Sequence, residues 1–118
     1  MWVVFLLTLL GSVLATWVGW RGWQERLPRQ HIAGIRTPYT LSSDERWRAV
    51  HRFGAPYLIF GGVAVAAGSL ALLPFAIAGR LPGTFSAGAA LAMAIVMVTA
   101  ALAAWQLGVR SARASLGE

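Results

Sequence analysis

Two histidines and two adjacent carboxylates are the residues of this sequence best suited to holding a metal ion. Asp44 and Glu45 lie between His31 and His51 along the chain. Zinc sites built from histidine usually show a close pair, such as residues i and i+4 on one helix face, and no such pair occurs here. The sequence also contains no cysteine. We therefore predict no metal, no cofactor and no thiol chemistry.

Asp44 and Glu45 could instead act as a general acid and base, but the residues before them favour another role. A serine that precedes a helix accepts hydrogen bonds from the first amides, and a glutamate three residues later reaches back to it. Ser42 and Glu45 match this capping-box spacing. Neither Ser42 nor Ser43 stands in a nucleophile-elbow motif. We interpret the stretch as a helix start, and we predict that the protein is not an enzyme.

Arg36 lies in a stretch that Gly34 and Pro38 keep from forming one continuous helix. Its guanidinium could pair with Asp44 or Glu45 and fix the loop to the following helix. It could also bind an anionic group of a lipid headgroup or of a partner protein. We favour the internal pair, because a contact that fixes the fold is the commoner role.

Composition indicates that these polar residues belong to a membrane protein. Of the 118 residues, 58% are hydrophobic and only 12% are charged, far from the balance of a soluble domain. The net charge of +6 could suggest nucleic acid as a partner. However, most arginines flank apolar segments, as expected of residues that set membrane topology. We therefore predict a lipid bilayer, and no direct contact with nucleic acid.

Three apolar segments, at about 2–20, 55–78 and 85–109, are long enough to cross a bilayer. A helix rises about 1.5 Å per residue, so about 20 residues cover the hydrocarbon thickness. The intervening segment, 21–53, is polar. We predict one all-α integral membrane domain over residues 1–118, with three transmembrane helices and a short interfacial helix in the loop.

The charges around these segments predict the orientation. A secretory signal peptide, cleaved after Ala15, is an alternative for the first segment, but no basic residue precedes it. Nine of the ten arginines lie in the two segments 21–52 and 110–113, and Arg80 alone lies in the remaining turn. Because arginine is retained on the cytoplasmic side, we expect the N-terminus outside and the C-terminus inside a bacterial cytoplasmic membrane.

Local signals predict how the loop meets the second span. A helix that begins at Ser42 should lie at the interface, and Pro56 should cause a bend or a fresh helix start near Gly54. The tail, 111–118, should be frayed.

Small residues recur at helical spacing in each span, which permits close packing in lipid. In the first span Gly11, Ala15 and Gly19 form one stripe, beside a second stripe of Thr8, Ser12 and Thr16; in the third span the stripe is Gly88, Ala92, Ala100, Ala104 and Gly108. We favour packing between the spans of one chain over a homodimer seam. An oligomer is therefore possible but not required.

The run Gly34-Ile35-Arg36-Thr37-Pro38, with Trp47 and His51 downstream, resembles the signature of the SdpI family of small bacterial membrane proteins. The three-span arrangement agrees, although Gln30 stands where that family often has asparagine. The resemblance implies that the binding residues are Gly34, Ile35, Arg36, Thr37, Pro38, Trp47 and His51. It also implies immunity to a secreted antimicrobial peptide, or signalling through a regulator held at the membrane.

Two functions remain open from the sequence. In the first, the protein is a non-enzymatic membrane protein whose inner loop contacts a peptide toxin, a cytoplasmic regulator or another membrane protein. In the second, it is an accessory subunit whose small-residue faces pack into a larger membrane assembly. Substitutions in the loop and in the small-residue faces should separate the two.

Overall fold

The computed structural model describes residues 2–29 and 34–118. Their helices, in chain order, are α1 Trp2–Trp23, α2 Pro38–Leu41, α3 Asp44–Ile77 and α4 Gly83–Ser115. Three of them, α1, α3 and α4, are long and apolar enough to cross a membrane. The predicted all-α membrane fold is confirmed, and a short helix, α2, lies in the loop.

The longest helix, α3, is the centre of the bundle. It packs against α1 along one side and against α4 along another, whereas α1 and α4 touch each other only slightly. The chain is elongated, with extents of 53 × 20 × 19 Å. Because both outer helices pack on one central helix, a groove remains between α1 and α4.

Glycines bring α1 and α3 into close contact. A Cβ on Gly62 of α3 would collide with the hydroxyl of Thr16, and one on Gly19 of α1 would lie 2.8 Å from Ile59. The predicted stripe of hydroxyl residues therefore faces α3, as intramolecular packing requires. Gly11 differs from Gly19, because nothing lies within 4 Å of its Cβ position. The predicted Gly11 stripe thus contacts α3 only in part.

A polar link in the middle of the bundle joins all three long helices. The hydroxyl oxygens of Thr8 and Ser69 lie 2.7 Å apart, and the Ser69 oxygen lies 3.3 Å from the sulfur of Met93. Thr8 also donates to the backbone carbonyl of Phe5. These contacts satisfy hydroxyl groups that would otherwise be unpaired in hydrocarbon.

Small residues also bring α4 onto α3 near the charged end. A Cβ on Gly54 would lie 2.7 Å from the carbonyl oxygen of Ala104, and one on Gly108 would lie 2.9 Å from the carbonyl oxygen of Val50. Part of the predicted α4 stripe, Ala104 and Gly108, is therefore the α3 contact. Gly88 has open space around it.

Of the two effects predicted for Pro56, a bend or a fresh helix start near Gly54, the fresh start is wrong. Helix α3 continues through Pro56 and Pro74, so the predicted interfacial helix is the first part of α3 itself. Gly54 serves the close contact with α4, and packing on both sides holds the helix together where proline removes one hydrogen bond. The capping residue also differs by one position, since Ser43, not Ser42, accepts from the Arg46 amide.

The prediction of a frayed tail is also wrong. Helix α4 continues to Ser115, and the carboxylate of Glu118 pairs with the guanidinium of Arg46 at 2.8 Å. Glu118 also accepts a hydrogen bond of 2.7 Å from the hydroxyl of Tyr39. The end of the described chain is thereby held against α2 and α3.

Contacts between the helix ends show that the two ends of the bundle carry different numbers of arginines. Gly22 of α1 lies against His51, and Gly108 of α4 lies against Val50, so the end of α1, the start of α3 and the end of α4 are neighbours. Nine arginines belong to this end and its loop, whereas Arg80 belongs to the opposite turn. We refer to the first as the arginine-rich end.

Candidate functional site

The loop after α1 is fixed to α3 by one buried histidine. The backbone amide of Ile35 donates to Nε2 of His51 at 2.8 Å, and Nδ1 of His51 lies 2.8 Å from the carbonyl oxygen of Trp47. Because Nε2 accepts, the proton of a neutral ring must be on Nδ1, where the Trp47 carbonyl receives it. His51 is only 1% exposed. Its ring therefore acts as a connector between loop and helix.

The indole ring of Trp47 supports this connector. It is 1% exposed, and its centroid lies 4.2 Å from that of His51. The indole Nε1 donates to the carbonyl oxygen of Leu27 at 2.8 Å. Trp47 thus holds the first part of the loop while His51 holds the second.

Gly34 can occupy its position only because it lacks a side chain. Its φ is +101°, and a Cβ there would lie 2.5 Å from Nε2 of His51. Both the backbone conformation and the close approach require glycine. Gly22 at the end of α1 is similar, since a Cβ there would lie 2.8 Å from the carbonyl oxygen of His51.

Thr37 and Pro38 turn the loop into α2. Thr37 is extended, as expected before proline, and its hydroxyl accepts from the Thr40 amide at 3.2 Å. Pro38 is the first helical residue, where its missing amide costs nothing. Thr40 is fully buried. Thr37 and Pro38 therefore shape the start of α2.

Arg36 is exposed, and it is the charged member of the predicted set. With Gly34 and Ile35 it lines a groove of about 280 Å³ that lies between α1 and α4. The remaining lining residues come from the three long helices: Gly11, Leu14, Ala15, Val18, Leu58 and Ala101. The loop therefore closes one end of an otherwise apolar groove, and it adds a guanidinium there.

The carboxylate of Asp44 lies 3.2 Å from the guanidinium of Arg29. The pairing of Arg36 with Asp44 or Glu45 stays a prediction. The candidate metal ligand His31 lies outside the described residues, as does Gln30. Within residues 2–29 and 34–118, no three histidine, aspartate or glutamate side chains are grouped as metal ligands would be.

A second cluster, centred on Tyr39, was not predicted from the sequence. The guanidinium groups of Arg46 and Arg113 lie 4.8 and 4.7 Å from its ring centroid. Burial and the hydrogen bond to Glu118 raise the pKa of Tyr39. The hydrogen bonds from Tyr39 and Arg46 lower the pKa of Glu118. The only signal in the sequence was the excess of arginine, which does not show which ring an arginine will cover.

The seven predicted residues thus fall into three groups according to their place in the structure. His51, Ile35, Gly34 and Trp47 are brought together in one connected unit. Thr37 and Pro38 form the start of α2 beside it. Arg36 is exposed and lines the groove between α1 and α4.

Residues 26–109 match the SdpI/YfhL protein family. The chain belongs to this family. No curated protein and no solved structure matches the chain.

The SdpI/YfhL match covers the loop, α2, α3 and the membrane part of α4. It therefore includes every residue of the predicted set. Helix α1 lies before it, although Gly22 of α1 packs directly on His51. The family region and α1 thus complete one structural unit in this chain.

Proposed function

We propose that the chain is a non-enzymatic membrane protein of the SdpI type that recognises a partner within the membrane. The groove between α1 and α4, with Arg36 at its mouth, is the observation that supports this proposal. Immunity to a secreted antimicrobial peptide is the function that fits such a groove best. A peptide that enters the bilayer would meet the groove between α1 and α4 there.

The side chains that line the groove indicate the chemical character of the partner. Its walls are aliphatic or small side chains, so it suits an apolar segment of a peptide. Arg36 lies at the end that the loop closes, where a guanidinium favours a carboxylate of the peptide. The partner is therefore an apolar peptide with a negative charge near one end. We place the groove mouth toward the cytoplasm, because arginine-rich ends of membrane proteins stay inside.

Position 11 allows a direct test. Because nothing lies within 4 Å of a Cβ on Gly11, a photoreactive residue there should be tolerated and should face the groove. Gly88 is a matched control, since it is equally open but does not line the groove. In membranes of cells exposed to secreted peptides, we expect a peptide adduct at position 11 and none at position 88. Arg36→Ala should reduce this adduct, while Arg80→Ala should not.

Equal adducts at positions 11 and 88, or an adduct at position 11 that Arg36→Ala leaves unchanged, would contradict groove recognition. Trp47 is unsuitable for this test despite being a motif residue. Its ring is buried, so its removal would disturb the loop itself.

The accessory-subunit function remains a second candidate, because Gly11 would allow a helix of another protein to approach closely. It predicts a different pattern of results. Gly11→Leu should dissociate the larger assembly in a detergent extract, and Arg36→Ala should leave that assembly intact. Peptide recognition requires both substitutions to weaken binding.

A further inference from the structure

A second cleft lies at the arginine-rich end, between the turn that follows α1 and the start of α3. Its volume is about 420 Å³, and its charged lining residues are Glu25, Arg26, Arg29, Asp44 and Arg48. Trp47 forms part of its wall, where the hydrogen bond to Leu27 fixes the turn to α3. The cleft is therefore held on both sides by ordered contacts, and it is separate from the groove that Arg36 lines.

The charges in this cleft are of both signs. Arg29 and Asp44 pair with each other at 3.2 Å. Among the described residues, no carboxylate pairs with Arg26 or Arg48, and no cation pairs with Glu25. Two guanidinium groups and one carboxylate are thus available to a ligand. This combination fits a group that carries a phosphate beside an ammonium.

The backbone at Glu25 is a second, independent observation. The amide of Arg26 donates to Arg21, and that of Glu25 donates to Gly22, which is the Schellman pattern at a helix end. Glu25 stands at the left-handed position of this pattern, with φ of 59°. At the ends of α3 and α4 the same position is glycine, at Gly79 and Gly117.

Glutamate is unfavourable in this conformation, and glycine adopts it freely. Among the described residues three helix ends show this pattern, and two of them have glycine at the left-handed position, whereas the end that lines the cleft has glutamate. Residues in disfavoured backbone conformations are concentrated at functional sites. The side chain of Glu25 is therefore expected to serve a purpose other than ending α1.

Aromatic residues place the cleft at the depth of lipid headgroups. Trp20 and Trp23 are exposed on the last turns of α1, directly before the cleft. Exposed tryptophan at a helix end marks the interface between hydrocarbon and headgroups. Arg52 lies 4.0 Å over the ring of Trp23 and donates to its carbonyl oxygen, which is a typical arrangement at that level.

We propose that this cleft binds a phosphoethanolamine group. Arg26 and Arg48 hold the phosphate, and Glu25 holds the ammonium. The headgroup of phosphatidylethanolamine is one source of this chemistry, and free phosphoethanolamine is the other. Binding here is independent of the proposed recognition of a peptide, because the two sites use different residues.

Binding to the purified full chain in detergent tests the proposal. The probes are short-chain phosphatidylethanolamine, short-chain phosphatidylglycerol and free phosphoethanolamine, with affinity measured by titration calorimetry. We expect phosphatidylethanolamine to bind about tenfold more tightly than phosphatidylglycerol, the difference that one charge-assisted contact provides. Tighter binding of the lipid than of free phosphoethanolamine would identify the lipid as the source, and equal affinities would identify the soluble group.

Two variants assign the contacts. Arg48→Gln should weaken the binding of both lipids about tenfold, because both contain the phosphate. Glu25→Gly should remove the preference for ethanolamine while leaving phosphatidylglycerol binding unchanged. This variant also keeps the fold, since glycine suits the backbone at position 25. Arg110→Gln, at the same end but outside the cleft, is the control and should change neither affinity.

Equal affinity of the unaltered protein for the two lipids would overturn the assignment of Glu25. Affinities that Arg48→Gln does not alter would overturn the phosphate site. Because neither result involves Gly11 or Arg36, failure of this proposal is distinguishable from failure of the proposed function.

Discussion

The proton on His51 decides whether the loop stays attached to α3. Nε2 must be unprotonated to accept from Ile35, and Nδ1 already carries a proton toward Trp47. His51 lies in the polar first part of α3, before the membrane-spanning part, and burial there lowers its pKa. A second proton would place two donors, the imidazolium and the Ile35 amide, against each other. The loop contact is therefore specific to the neutral ring.

Acidification should release the loop. The pKa of His51 is lowered in the folded protein, so its contribution to the free energy of unfolding is complete above the unfolded pKa of about 6.5. That contribution is lost as the pH falls below about 6.5 toward the folded value. We expect the Ile35 amide to exchange with solvent faster at about pH 5.5 than at about pH 7.5, after correction for intrinsic exchange rates.

His51→Gln provides the control, since glutamine does not titrate in this range. Its Ile35 exchange should not depend on pH after the same correction. The pKa of Glu118 is also lowered, mainly by its hydrogen bonds with Tyr39 and Arg46, so its titration is moved away from this window. Slower corrected exchange of the Ile35 amide in acid would contradict a His51 ring protonated on Nδ1 alone.

Replacing Gly34 with alanine tests the close approach beside that ring. Gly34→Ala should lower the free energy of unfolding by about 2–4 kcal/mol, from backbone strain and the displaced Ile35 bond. Gly79→Ala is the matched control, because Gly79 also has a positive φ but nothing lies within 4 Å of its Cβ position. It should cost about 1–2 kcal/mol. Chemical unfolding in detergent measures both, and equal losses would show that His51 does not constrain position 34.

At the scale of elements, α3 holds the bundle together through contacts that exclude side chains. Gly62 faces α1, while Gly54 faces α4. Each outer helix is therefore positioned by a different side of α3, and α1 and α4 touch each other only slightly. This arrangement keeps the groove between them open.

Gly62→Ala should separate α1 from α3, because its Cβ would collide with Thr16. Overpacking of this kind lowers the free energy of unfolding by about 1–3 kcal/mol. Gly88→Ala, in open space, should change it by less than about 1 kcal/mol. The same detergent unfolding experiment compares them. A similar loss in both variants would mean that α1 does not pack on Gly62.

The features that could be predicted from the sequence are those set by residues close together along the chain. The three spans depend on local hydrophobicity and length, and the extended Thr37 depends only on the proline that follows it. The continuity of α3 through Pro56 could not be predicted in this way, and neither could the close approach of Gly54 to Ala104, which lie far apart along the chain. Similarly, the contact of Glu118 with Arg46 joins residues that are distant along the chain.

In the candidate site, too, some features could be predicted from the sequence and others could not. The family resemblance indicated Gly34, Trp47 and His51 as a group, but not that His51 would accept a hydrogen bond from Ile35. Nor did it indicate that Arg36 would line a groove between α1 and α4. Both features arise only when three separate segments of chain meet.

At the scale of the whole molecule, the orientation in the membrane decides which partners the loop and the groove mouth can meet. The sequence contains no cysteine, so a single introduced cysteine is the only thiol of the protein itself. Arg48 belongs to the arginine-rich end, and Arg80 belongs to the opposite turn; both are exposed. They are matched positions at the two ends of the bundle.

Labelling of Arg48→Cys and Arg80→Cys with a membrane-impermeant maleimide in intact cells tests the orientation most directly. We predict that the cysteine at position 80 reacts at once, whereas that at position 48 reacts only after the membrane is opened. Reaction at position 48 in intact cells, with none at position 80, would contradict this orientation, because the loop, the groove mouth and Arg36 would then face outward.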